Sequence, residues 1–92
     1  MSVATLELAQ SLGMSETELL NQAIKSLLQE KRRDVLQTRL EILSRYQVNT
    51  LAELEGGIRQ GTVPEHPAWE DLITVENLEA RLEELDEYIR NL

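Results

Sequence analysis

The side chains of this chain that could carry out chemistry are almost all carboxylates: 17 aspartates and glutamates stand against one histidine, His66, and no cysteine. Without cysteine there is no disulfide framework, no thiolate nucleophile and no cysteine-based zinc site. His66 has no histidine or cysteine companion at a metal-ligand spacing and reads as a helix-end or surface residue. Carboxylate pairs can divide general-acid and general-base work when they face a common centre. Here the pairs Glu70/Asp71 and Glu83/Glu84 are adjacent, and neighbours on a helix do not point at one centre. Gly56 and Gly57 lack the Gly-Lys-Ser/Thr sequence of a phosphate loop. The expectation is a protein that is no enzyme and takes no metal and no cofactor.

Lys31, Arg32 and Arg33, with Arg39 and Arg45 beyond them, could contact phosphate. A short basic run at the polar centre of an amphipathic helix is ordinarily a solvated face. The net charge of −8 and an aromatic content of 3% give nucleic acid neither a basic field nor a stacking surface. DNA binding is expected only if dimerisation doubles the basic patch.

What remains is binding by shape and charge. Residues 1–46 balance six acids with six bases, and residues 47–64 carry a net −1. Residues 65–92 hold nine acids against Arg81 and Arg90, a net of −7. Acidity gathered at one end points to a basic protein partner. The chain contains no long apolar run and no basic, apolar leader, so a cytosolic location and no membrane association are expected.

The elements that would position these groups are helices. Residues 5–12 form a short helix stopped by Gly13. Ser15 and Glu18 make a capping box, flanked by Met14 and Leu19 as a hydrophobic staple. From Glu16 to Tyr46 there is no Gly or Pro. Leu20, Ala23, Ile24, Leu27 and Leu28, then Val35, Leu36, Leu40, Ile42 and Leu43, recur at helical spacing, so one long helix is expected, with a bend conceivable at the polar residues 29–34. Thr50 and Glu53 open a helix over residues 51–60 that Gly61 closes, and the segment around Pro64 is extended. A last helix begins at Pro67. Its Val75, Leu78, Leu82, Leu85, Ile89 and Leu92 follow an unbroken 3-4 spacing, with acids over most of the remaining surface.

That seam has two readings. It either folds back on the long helix as an ordinary hairpin or lies in a partner's groove, where Trp69 would serve as an anchor. A small elongated chain buries a modest share of its surface, so a homodimer is expected as well.

Arg45, Tyr46, Thr50, Glu53, Leu54, Gly61, the run from Glu65 to Asp71 and the run from Glu76 to Leu82 resemble the C-terminal half of small prokaryotic antitoxins of type II toxin–antitoxin pairs. There an RYG-x-S-x-EEL segment precedes an acidic W-E-x-LE-x-RL helix. Residues 13–24 are similar to the turn and second helix of ribbon-helix-helix repressors. Only twelve residues precede Gly13, room for a strand or a helix but not for both, so a short N-terminal strand is the alternative to the first helix.

The resemblance implies a dimerising half at residues 1–46, a short helix and linker at 47–64, and a partner-binding helix at 65–92. It implies that Trp69, Leu72, Val75, Leu78, Leu82, Leu85 and Ile89, with Glu79, Glu83 and Glu87, neutralise a basic toxin, often a ribonuclease in such systems. Autoregulation of the operon through Lys31, Arg32 and Arg33 would follow. The fold class expected is all-α: a long central helix, a short helix and an acidic amphipathic C-terminal helix, assembled as a dimer. The competing expectation is a non-enzymatic structural or adaptor protein that keeps the acidic helix for itself.

Overall fold

The computed structural model describes residues 3–92, and over them the protein is all-α. Four helices follow in order: α1 (Val3–Ser11), α2 (Glu16–Arg45), α3 (Leu51–Gln60) and α4 (Glu65–Arg90). The possible N-terminal strand is thereby corrected: from Val3 onward the first segment is helical, because it is made of good helix formers and ends in a left-handed Gly13 (φ +72°). Ser2 lies outside the described residues.

Each boundary follows from its cap. Ser15 is extended and its Oγ accepts the Glu18 amide at 3.1 Å, fixing the start of α2. The thirty residues of α2 then run as one continuous helix through the polar residues 29–34. Thr50 Oγ1 accepts the Glu53 amide at 3.1 Å, while the Glu53 carboxylate accepts the Asn49 amide at 2.8 Å. Gly61 closes α3 in the left-handed conformation, φ +76°. In α4, His66 has extended backbone (φ −119°, ψ 123°), and the regular helix starts at Pro67.

α2 and α4 lie antiparallel, and α3 bridges them at one end. There the core sits: Ile42 and Leu43 of α2, Leu54 of α3, and Leu72 and Val75 of α4 are buried together, with Tyr46, Val48, Leu51, Ile58, Val63 and Leu78 packed around them. α1 packs on α2, and its Ala9 is buried. The result is a rod of 60 × 21 × 18 Å with a radius of gyration of 19.4 Å, against the roughly 12 Å of a compact domain of this length.

Two backbone positions show how closely the α3 end is built. A Cβ on Gly57 would stand 2.8 Å from Val63 Cγ2, so only glycine lets the following turn fold against α3, whereas one on Gly56 would meet open space. Gln47, just past α2, has φ +56°, a left-handed conformation that costs a side-chain-bearing residue about 1–2 kcal/mol. In urea unfolding, Gly56→Ala should therefore raise stability by about 0.5–1 kcal/mol through helix propensity. Gly57→Ala should lower it by about 1 kcal/mol or more through displacement of Val63. Gln47→Gly should stabilise by up to about 1 kcal/mol.

Candidate partner-binding face

The antiparallel register of the hairpin is marked by charge. Arg32 Nε donates to Asp86 Oδ1 at 2.7 Å, and seven residues on, Arg39 Nε donates to Glu79 Oε1 at 2.9 Å. Two steps of two helical turns, upward on α2 and downward on α4, thus meet the same neighbour type. Near the α3 end, Arg45 lies 3.8 Å from Asp71, and the Tyr46 hydroxyl donates to the same carboxylate. These pairs flank a seam whose Leu72, Val75 and Leu85 are buried and whose Leu78, Leu82 and Ile89 are half-buried, against α2 and α3.

The residues expected to bind a partner therefore divide in two. Leu72, Val75, Leu78, Leu82, Leu85, Ile89 and Glu79 are engaged within the chain itself. Trp69, Glu83 and Glu87 are exposed, Trp69 by 50%. The exposed set has an order that the seam hides. Trp69, Ile73, Glu76, Ala80, Glu83 and Glu87 follow 4-3-4-3-4 spacing and form a second stripe along the outside of α4. Its first two members are large apolar side chains, with Ile73 45% exposed, and its last turns are acidic. Among the described residues, Glu76, Glu83 and Glu87 have no ion-pair partner. Ile73 was not singled out from sequence because it sits beside Leu72, which continues the inner seam. Its four-residue distance from Trp69 was the available signal.

The basic run is not brought together. Consecutive helical residues diverge by about 100°, so Arg32 turns to Asp86 on α4 while Lys31 and Arg33 remain exposed elsewhere on α2. Among the described residues no three His, Cys, Asp or Glu side chains gather as a metal site. No described helix is long and apolar enough to cross a membrane. The cluster that sequence reading missed entirely is Tyr46 with Asp71 and Arg45, joined across the hairpin. Burial, then the hydrogen bond to Asp71 and that carboxylate's charge, push the Tyr46 phenol up to about 12, with Arg45 opposing.

That shift has a sign in stability. The folded chain holds the phenol proton to higher pH than the unfolded chain, whose tyrosine releases it near pH 10. The stabilisation is complete below about pH 10 and is lost as pH rises from there through about 12. Tyr46→Phe should cost about 1 kcal/mol at pH 8. Its urea midpoint should also fall less steeply than that of the parent between pH 10 and 12, because the variant has no such proton to lose.

Compared with known proteins, the chain matches the family described as the Uncharacterized protein MJ0235 family over residues 1–92, and it belongs to that family. No curated protein and no solved structure matches it.

Proposed function

We propose that this member of the MJ0235 family is a non-enzymatic helical interaction protein that keeps the inner seam of α4 for its own hairpin and offers the outer stripe to a basic protein partner. The observation that carries this reading is the pairing, on one exposed face, of half-exposed Trp69 and Ile73 with the unpaired Glu76, Glu83 and Glu87. An aromatic anchor beside apolar surface, rimmed by charges of one sign, is the arrangement in which a few residues carry most of the binding energy and the rim sets the encounter rate. Detaching the seam instead would expose Leu72, Val75 and Leu85, at roughly 1.5–3 kcal/mol each.

An antitoxin role is the second reading. It is favoured by the resemblance of roughly residues 45–85 to antitoxin C-terminal segments and by the incomplete cover over Leu78, Leu82 and Ile89. On this reading a basic toxin replaces α2 as the seam's partner, and its activity is blocked by occlusion.

Hydrogen exchange on the isolated protein separates the two. If α4 serves its own hairpin, the amides around Val75 and Leu85 exchange as slowly as those around Ile42 and Leu43. Fast exchange throughout α4 would favour the antitoxin reading. With a basic partner captured from source cells, Trp69→Ala should weaken binding about 30-fold or more. Glu83→Arg with Glu87→Arg should slow association and reduce its dependence on salt. Unchanged affinity in both variants would overturn the outer stripe as the contact.

A further inference from the structure

The α1 end of the rod carries apolar surface that α4 does not reach. Leu92, beyond the end of α4, lies beside Asn21, Gln22, Lys25, Ser26 and Gln29 of α2. On the side away from these contacts, Leu20, Ile24 and Leu27 are 46%, 38% and 53% exposed. They belong to a single stripe, Glu16, Leu20, Ala23/Ile24, Leu27, Lys31, whose spacing reads the same in both directions. Its two ends carry opposite charges, and among the described residues neither Glu16 nor Lys31 has an ion-pair partner.

We infer that a second copy of this chain docks on this stripe with its α2 antiparallel, about a two-fold axis passing between Ala23 and Ile24. That axis sets Leu20 against Leu27 of the other copy, Ala23 against Ile24, and Glu16 against Lys31, each contact occurring twice. A two-fold interface must be self-complementary, and a stripe that is symmetric in spacing and antisymmetric in charge is complementary to itself only in the antiparallel sense. A parallel pair would oppose Glu16 with Glu16 and Lys31 with Lys31.

The distribution of charge over the rest of the rod selects the same arrangement. Residues 65–92 carry a net −7 and lie along the other end of α2. In the antiparallel pair the acidic halves point away from each other. Their midpoints, near Glu79 opposite Arg39 and so each about 16 residues of α2 from the axis, stand roughly 50 Å apart at 1.5 Å per residue, several times the Debye length of about 8 Å. In a parallel pair they would run side by side. Leu8 of α1 and Leu12 just after it are exposed as well.

Sedimentation equilibrium on the full chain tests this, with circular dichroism to confirm helicity. The parent protein is expected to be a dimer. Leu27→Glu, at an exposed position, should give a folded monomer, with dissociation raised about 100-fold or more. Glu16→Lys alone and Lys31→Glu alone should each weaken the dimer about tenfold, since each places two like-charge pairs in the interface. The double variant Glu16→Lys with Lys31→Glu should recover most of the parent affinity, because it reverses both ends of the same complementary pair. Trp69→Ala should leave the dimer unchanged, so loss of the outer-stripe reading and loss of this one are separable. A parent protein that stays monomeric at millimolar concentration overturns the proposal. So does a dimer indifferent to Leu27→Glu, or charge swaps whose effects add instead of cancelling.

Discussion

Everything in this molecule depends on one apolar contact made on one side only: the seam of α4 against α2. A helix of 26 residues with a narrow hydrophobic stripe is marginal by itself, and a 30-residue helix with a polar middle gains little from propensity alone. Their contact removes Leu72, Val75 and Leu85 from water, and α3 adds Leu54 where the two helices are joined. Because the fold is essentially one layer of helix pairs, every helix retains an outer face, and the outer faces are where the protein has freedom to evolve contacts. The ion pairs from Arg32 and Arg39 add little energy at partly exposed sites. What they add is register: they mark which turn of α4 stands opposite which turn of α2.

Much of this was legible in the sequence, and the reason is local. The capping residues Ser15 and Thr50 and the glycines Gly13 and Gly61 act within four residues of themselves, so the boundaries of α2 and α3 could be read without knowing the fold. The seam at Val75, Leu78, Leu82, Leu85 and Ile89 was equally plain. What it packs against was not, because an apolar stripe has the same spacing whether its groove belongs to its own chain or to another. The Tyr46–Asp71 contact was hidden for a different reason: it depends on the register between two helices 25 residues apart, which no local pattern encodes. Gly57 looked like a weakness in a short helix. The approach of Val63 explains why alanine is not there. Gly56 has no such neighbour, and nothing in the structure explains it.

The acidic character of the C-terminal half takes on a different meaning once the hairpin is assembled. Glu79, Asp86 and Asp71 are matched by arginines of α2, so a share of the segment's charge serves cohesion. What faces outward is a smaller, ordered set beginning at Trp69 and Ile73. The segment therefore has two sides, one engaged with α2 and one exposed, and the substitutions that probe one need not disturb the other.

The spacing of the cross-hairpin contacts also dictates an order of assembly. Tyr46 and Asp71 are 25 residues apart along the chain, Arg39 and Glu79 are 40 apart, and Arg32 and Asp86 are 54 apart. Loop-closure entropy favours the shortest span, and once it is closed each later contact encloses only a small additional loop. The hairpin therefore closes like a zipper from the α3 turn outward and opens in reverse. Its last teeth are the turns of α4 past the buried Leu85, around half-buried Ile89, where parting from α2 uncovers the least apolar surface.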